Sequence, residues 1–312
     1  MTDSRLQLAP GTLIPAIVKC SRHALQCGAM QPIQTVEELV PDAGIEFIVR
    51  RVSSLARKDE DRGRAGPETG PRGNPFLPYE PDLFVADVSA THLALLNKFN
   101  VIDHHLLIVT RRFAHQETLI AVADFAALAA CMAQLDGLGF YNGGEFAGAS
   151  QPHKHLQLVP LPLGMRGRPV PVELFFDPVQ GQPGIVRLPG FAFRHAFAWI
   201  EPAWFDDPAA AGTRLHSLYR DLLAKAGVGA VDVGGEARQS APYNLLLTRR
   251  WMLLVPRAKE RFGTISVNAL GFAGSFFVRE EAQLQVLRRV GPMAALEEVS
   301  LPELANTAQR RH

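Results

Sequence analysis

The residues best suited to chemistry lie in one short stretch of the chain, 142–157. Its glycine-rich first half leads into His153, His155 and Gln157, which are spaced by two. This alternation, followed by an apolar run, predicts a β-strand that presents these three side chains on one face. The opposite face then takes the intervening residues, which are Lys154, Leu156 and Leu158.

A histidine at the start of such a strand can act as a nucleophile, because imidazole attacks electrophiles near neutral pH. The upstream glycines allow backbone N–H groups to approach anionic oxygens closely, and Ser150 and Gln151 add side-chain donors. The stretch is therefore interpreted as a phosphate-handling active site that works without a metal. A lone His-x-His is common, so this interpretation depends on the shared face, the glycine-rich turn and the apolar opposite face.

Metal binding is the main chemical alternative, since two histidines at i and i+2 on a strand can ligate zinc. The three cysteines, Cys20, Cys27 and Cys131, contain no Cys-x-x-Cys pair, so they indicate neither a structural zinc site nor a redox motif. We expect three free thiols in a reducing compartment.

Several elements must position this motif. The runs 83–88 and 105–110 predict two adjacent strands of the sheet that carries His155. Apolar spacing within 116–136 predicts a helix packed across that sheet. The run 45–52 fits either a strand or a helix. Residues 59–74 are charged, rich in glycine and poor in apolar side chains, which predicts a mobile loop that could cover a ligand.

The second half of the chain shows a similar order of elements. Residues 164–190 are rich in Pro and Gly and predict an irregular connection, and 214–225 predicts an amphipathic helix. A hairpin is expected over 243–255, and the chain from Glu280 has helical character. LLIVT and LLLT are each followed by a basic pair, which suggests a pseudo-symmetric α+β protein.

Composition is that of an ordinary globular protein. Of 312 residues, 47% are hydrophobic and 20% are charged, and 32 basic and 31 acidic side chains leave a net charge of +1. This balance provides no global electrostatic case for binding nucleic acid or an anionic membrane. The N-terminus has no apolar stretch long enough for a signal or a transmembrane helix, so a cytoplasmic protein is expected.

The motif resembles that of a known family. The run GASQPHKHLQ, residues 148–157, closely resembles the active-site signature of the diadenosine tetraphosphate phosphorylases (ATP adenylyltransferases), a histidine-triad branch related to galactose-1-phosphate uridylyltransferase. Further blocks resemble the family in the same order, so the likeness spans roughly residues 45 to 280. These blocks are 74–76, 96–101, 105–110, 243–248 and 268–274.

The resemblance implies a histidine-triad-like α+β fold, with an antiparallel sheet, packed helices and an elaborated, pseudo-symmetric C-terminal half. Residues 1–164 would form the half with the histidine motif and 165–312 the half that completes the distal nucleotide site, within one continuous domain. The implied activity is reversible phosphorolysis of diadenosine tetraphosphate to ATP and ADP. A monomer without a tightly bound cofactor is expected, and any Mg²⁺ would arrive with the nucleotide.

The resemblance also implies individual roles. His155 would be the nucleophile that becomes adenylylated, with His153 orienting it and Gln157 holding a phosphate oxygen. The implied substrate-binding residues are Lys58, Asn97, Lys98, Asn142, Gly148, Ala149, Ser150, Gln151, Asn268, Ala269, Leu270 and Arg279. Arg57 is the alternative to Lys58.

The chain departs from the family pattern at two positions of the distal site. Ser275 stands where a methionine is expected, and Arg279 where a lysine is expected. Substrate preference is therefore open. Alternative functions are an ADP sulfurylase with sulfate or phosphate at the same adenylyl-histidine, uridylyl transfer to a sugar phosphate, plain hydrolysis, and a nucleotide-binding sensor without turnover.

Overall fold

A nine-stranded antiparallel sheet forms the centre of the computed structural model, which describes residues 5–53 and 74–303. Its strand order is β3-β4-β5-β7-β6-β12-β13-β9-β8. The strands are β3 (Phe84–Asp87), β4 (His92–Leu96), β5 (Leu106–Thr110), β6 (Gly137–Gly143), β7 (His155–Pro160), β8 (Ile185–Val186), β9 (Ala196–Trp199), β12 (Tyr243–Leu247) and β13 (Trp251–Pro256).

Three smaller sheets contain the remaining strands. β16 (Ser275–Val278) pairs in parallel with β2 (Ile45–Val52), which also pairs with β1 (Thr35–Asp42). The two remaining hairpins are β10 (Ala230–Val233) with β11 (Glu236–Gln239), and β14 (Arg261–Phe262) with β15 (Ile265–Ser266). The run 45–52, whose apolar spacing fitted either a strand or a helix, is therefore a strand.

Helices cover both faces of the large sheet. They are α1 (Leu13–Cys27), α2 (Val122–Met132), α3 (Pro208–Ala226), α4 (Ala269–Phe272), α5 (Glu281–Val290) and α6 (Pro292–Val299), with 3-10 helices at Pro81–Leu83, Glu145–Ala147, Pro171–Val179 and Pro202–Asp206. One apolar core lies under α1, α2 and α3, and a second joins the other face to β2, β16 and α4 to α6.

The two halves of the large sheet repeat one unit of hairpin, helix and hairpin. The first unit is β4–β5, α2 and β6–β7, and the second is β8–β9, α3 and β12–β13. Apart from β3 at one edge, the strand order is symmetric about the antiparallel β6–β12 pair, as a local two-fold relation requires. The predicted α+β, pseudo-symmetric fold is confirmed.

Some details of the predicted arrangement are wrong. The runs 83–88 and 105–110 are not adjacent, because β4 pairs between them. All five residues of β4 are buried, so it lacks the alternating pattern that reveals a strand with one exposed face. The proposed match of LLIVT to LLLT also fails, since topology relates β5 to β9, and β6 to β12.

Other predicted elements hold with different bounds. The helix expected within 116–136 is α2, which lies between residues 122 and 132 and contacts the sheet and α3. The hairpin expected over 243–255 is formed by β12 and β13 and turns at Arg249 and Arg250. The irregular connection contains the 3-10 helix Pro171–Val179. Most of the predicted mobile loop, 59–73, lies outside the described residues.

Helices α2 and α3 approach so closely that a glycine is needed where they cross. A Cβ atom at Gly212 would lie 2.7 Å from Ala126 Cβ and 2.9 Å from the Ala126 backbone nitrogen. We expect Gly212→Ala to lower the free energy of unfolding by about 1 kcal/mol or more, because the clash with backbone outweighs the gain in helix propensity.

Chemical denaturation monitored by circular dichroism would measure this change. Thr213→Ala, at the exposed neighbouring position of α3, is the control and should change stability by no more than about 0.5 kcal/mol. A Gly212→Ala protein more stable than the parent would show that the two helices separate at little cost.

Candidate active site

The histidine motif lies where strands β6 and β7 separate. The two strands pair only from Gly137–Pro160 to Phe140–Gln157. Beyond that point the buried side chain of Gln116 lies between them: its amide nitrogen donates to Asn142 O at 2.9 Å, and its Oε1 accepts from the His155 N–H at 2.9 Å. This amide takes the place of a strand pair and holds open the loop between the two strands.

Strand alternation distributes the motif over both faces of the sheet. His155 and Gln157 face a cavity, whereas Leu156 and Leu158 enter the core under α2. Lys154 also points toward α2, where its Nζ lies 2.7 Å from Asp124 Oδ2 and donates to the Leu119 carbonyl. Lys154 therefore forms a specific buried ion pair on the face opposite to His155.

The His155 ring is held in one tautomer. Its Nδ1–H donates to the His153 carbonyl at 2.8 Å, so the neutral ring carries its lone pair on Nε2. Burial lowers the pKa of His155 from 6.5 to about 4. The ring of Phe76 packs against it with a centroid distance of 5.3 Å. A neutral, oriented imidazole at a cavity wall is the form that acts as a nucleophile.

The His153 ring has partners of its own. Its Nε2–H donates to the Thr110 carbonyl at 2.9 Å, and its Nδ1 accepts from the Asn74 amide at 2.9 Å. It therefore contacts His155 through its backbone carbonyl rather than through its imidazole. The ring is buried and does not line the cavity.

A relay of three side chains orients Gln157. The Asn97 amide donates to His105 Nδ1 at 3.2 Å, and His105 Nε2–H donates to Gln157 Oε1 at 2.9 Å. Burial lowers the pKa of His105 to about 4, which keeps this ring neutral. Because its oxygen is occupied, Gln157 presents its NH₂ group as a donor to the cavity. His105 was quoted in a family block but was not predicted to act in the site.

The glycine-rich loop packs against the second half of the chain. Asn142 Oδ1 accepts from the Asn244 amide at 2.9 Å and from the Ala269 N–H at 3.0 Å, which leaves the Asn142 NH₂ group as a donor. Gly148 adopts a φ of +86°, and a Cβ there would lie 2.8 Å from Asn268 Cβ. Only glycine allows the loop to approach Asn268 this closely.

The cavity has a volume of about 620 Å³ and contains most of the predicted residues. Those that line it are His155, Gln157, Asn97, Lys98, Asn142, Gly148, Ser150, Gln151, Asn268 and Leu270. Ala149 and Ala269 lie beside it, and Ala269 is joined to it through Asn142. Arg279 is exposed beyond the end of β16 and does not line it. Lys58 and Arg57 lie outside the described residues.

Sequence reasoning missed Arg50, a buried residue of β2 that lines the cavity. Its guanidinium donates to Ser275 Oγ at 2.6 Å and to Glu37 Oε2 at 3.3 Å. Among the described lining residues, Arg50 and Lys98 are the cations and Glu80 is the carboxylate. The signal was available, since Arg50 interrupts the apolar run of a strand and Ser275 departs from the family pattern.

Two family models match successive parts of the chain. The family model of the Ap4A phosphorylase N-terminal domain, where Ap4A stands for diadenosine tetraphosphate, matches residues 3–178. This match covers more than half of the sequence. The chain belongs to the Ap4A phosphorylase family. The model of the ATP adenylyltransferase C-terminal domain matches residues 189–302.

Two curated relatives of this Ap4A phosphorylase family member come from Saccharomyces cerevisiae. Protein APA1 is 26% identical over 294 residues, covering 87% of this chain and 88% of APA1. Diadenosine 5',5'''-P1,P4-tetraphosphate phosphorylase 2 is 25% identical over 274 residues, covering 79% of this chain and 80% of the relative.

Solved structures show the same fold. The crystal structure of yeast Ap4A phosphorylase Apa2 aligns with a TM-score of 0.76 at 22% identity, covering 96% of this chain and 97% of Apa2. The complex of Apa2 with Ap4A aligns with a TM-score of 0.73 at 20% identity, covering 96% of this chain and 100% of that one. In the part of the chain that the structure describes, no helix has both the length and the apolarity to cross a membrane.

The lowered pKa values of His105 and His155 have a measurable consequence. Both rings should remain neutral at about pH 5.5, where an ordinary histidine is largely protonated. The unfolded chain takes up these protons below about pH 6.5 and the folded chain only near pH 4, so stability should fall as the pH falls through this window.

Ring ¹⁵N chemical shifts of the two histidines, followed by NMR during an acid titration, would give their midpoints directly. Spectra of His105→Gln and His155→Ala proteins would assign the signals. A midpoint near 6.5 for His155 would contradict the neutral, carbonyl-bound ring.

Proposed function

We propose that this protein catalyses the phosphorolysis of diadenosine tetraphosphate (Ap4A) to ATP and ADP through an adenylyl group on His155. One observation carries the proposal. The His155 ring is neutral and donates through Nδ1, so its Nε2 lone pair is available at the wall of a cavity that also presents donors from Gln157 and the 142–151 loop. The names of the yeast relatives support the same substrate.

The reaction divides into two displacements at one phosphorus atom. His155 Nε2 attacks the α-phosphorus, an N–P bond forms, and the bond to the bridging oxygen breaks to release ATP. An oxygen of inorganic phosphate then attacks the same phosphorus, which releases ADP and restores the neutral imidazole. In each step one group displaces another at the same phosphorus atom, so one histidine serves both steps.

Positive groups and N–H donors would stabilise the charge that develops on the phosphoryl oxygens. The Gln157 NH₂ group is directed to the cavity by His105, and the Asn142 NH₂ group by Asn244. The side chains of Ser150 and Gln151 extend this set, whereas the backbone N–H groups of Gly148 and Ala149 already donate to carbonyls of the loop. The donors are held before the substrate arrives, so the transition state does not have to organise them.

Product analysis tests the proposal. The purified protein is incubated with Ap4A, with and without phosphate, and with Mg²⁺ or EDTA, and nucleotides are separated by chromatography. Phosphate-dependent formation of ATP and ADP is expected. ATP with AMP in the absence of phosphate would indicate a hydrolase, exchange of sulfate with ADP a sulfurylase, and binding without products a sensor.

We expect His155→Ala to lower kcat/KM for Ap4A by at least about a thousandfold, since no other group forms the covalent intermediate. His216→Ala, a half-buried histidine of α3 that does not line the cavity, should retain activity. Without phosphate, intact-mass spectrometry should detect one adenylyl group on the parent protein and none on His155→Ala. An adenylylated His155→Ala protein would exclude His155 as the nucleophile.

Arg50 and Arg51 provide a matched pair for the role of charge in the cavity. Arg50→Met removes a buried cation from the cavity wall, so we expect the KM for Ap4A to rise about 10- to 100-fold, as for loss of a charge-assisted hydrogen bond. Arg51 pairs instead with Glu38 and Glu281 at the surface. Arg51→Met should leave KM within about twofold.

Thermal melts would verify that both arginine variants fold. Equal KM values for folded Arg50→Met and Arg51→Met would show that Arg50 does not contact the substrate.

A further inference from the structure

A cluster of metal-ligating side chains lies outside the cavity, between α1 and the 3-10 helix Pro81–Leu83. The ligand atoms of His23, Cys27 and Asp82 all lie within 4.8 Å of one another. His23 Nε2 is 2.7 Å from Asp82 Oδ1. Cys20 lies on the same side of α1, and its thiol donates to the Asp82 carbonyl at 3.5 Å.

Helix geometry aligns these groups. At 3.6 residues per turn, positions 20, 23 and 27 of α1 fall within about 60° of arc, so their side chains leave the helix in one direction. Seven residues also separate the Cα atoms of Cys20 and Cys27 by about 10.5 Å along the axis, which is too far for a disulfide. The two thiols therefore stay unpaired while α1 is intact, and the same separation allows only Cys27 to share a metal ion with His23 and Asp82.

The chemistry of the set matches a zinc-class cation. Thiolate sulfur, imidazole nitrogen and carboxylate oxygen bind Zn²⁺ at about 2.0 to 2.3 Å in a tetrahedron, which needs only rotamer changes in exposed His23 and Cys27 and in half-buried Asp82. A surface ion pair accounts for His23 and Asp82 but not for the adjacent Cys27 thiol.

We propose that His23, Cys27 and Asp82 form a binding site for a thiophilic divalent cation of the zinc class, with solvent in the fourth position. Binding replaces the Cys27 thiol proton, which passes to the buffer, and forms a metal–sulfur bond without any redox change. The site is separate from the cavity and does not depend on the proposed reaction.

The location of this site links it to the cavity wall. The chain between Asn74 and Asp82 supplies the Asn74 amide to His153, packs Phe76 against His155, and lines the cavity with Pro75, Pro78 and Glu80. A metal that joins Asp82 to α1 would fasten this wall to the helix. Bound metal should therefore stabilise the protein against heat.

The test uses the full-length protein, kept reduced with a phosphine and freed of metal by chelation. Competition with a chromophoric chelator would measure Zn²⁺ affinity and stoichiometry. We expect one Zn²⁺ per chain, bound at least tenfold more weakly by each of His23→Ala, Cys27→Ser and Asp82→Asn. Gln26→Ala, at an exposed position of the same helix, should bind as the parent does. His155→Ala should also bind normally, which separates this site from the cavity.

The absorption spectrum of the protein with Co²⁺ in place of Zn²⁺ shows which thiolate binds the metal. Its thiolate charge-transfer absorption should persist in Cys20→Ser and vanish in Cys27→Ser, because Cys27 supplies the bound thiolate. Saturating Zn²⁺ should raise the Tm of the parent by at least about 2 °C and leave that of Cys27→Ser unchanged. The proposal is overturned if affinity or Tm shift is the same in the parent and Cys27→Ser, or if His155→Ala abolishes binding.

Discussion

The separation of β6 from β7 is the constraint on which the rest of the site depends. Two paired antiparallel strands would leave no room for a ligand between their side chains and the loop that joins them. Gln116 supplies the hydrogen bonds that the strands lose when they part, so the buried backbone of Asn142 and His155 remains satisfied. The opening costs little, and it exposes the first residue of β7 to the cavity.

From this opening, hydrogen bonds set the chemical state of each polar group. The His153 carbonyl selects the tautomer of His155, His105 selects the orientation of the Gln157 amide, and Asn244 selects that of Asn142. Each choice turns a group with two possible roles into a donor or a lone pair of known direction. Preorganisation of this kind reduces the rearrangement needed when charge develops on a substrate.

The second half of the chain contributes to the site mainly as a support. Arg257 is fully buried and donates to Asn244 Oδ1 at 2.6 Å and to the Val267 carbonyl at 2.8 Å. Asn244 in turn holds Asn142 and the Ala147 carbonyl. The glycine-rich loop is thus tied to the segment that carries Asn268. One continuous sheet makes this possible, because the two repeats meet at the β6–β12 pair.

The sequence by itself determined the local features: the motif at 153–157, its alternation over two faces, helix α2, the β12–β13 hairpin and the family. These depend on residue type and spacing within a few positions, where periodicity is informative. Tertiary structure alone decided that β4 separates β3 from β5, that Gln116 joins two strands, and that Arg50 and Ser275 meet at the cavity wall. Such contacts join residues far apart in the chain, and their partners are selected by packing that no local pattern encodes.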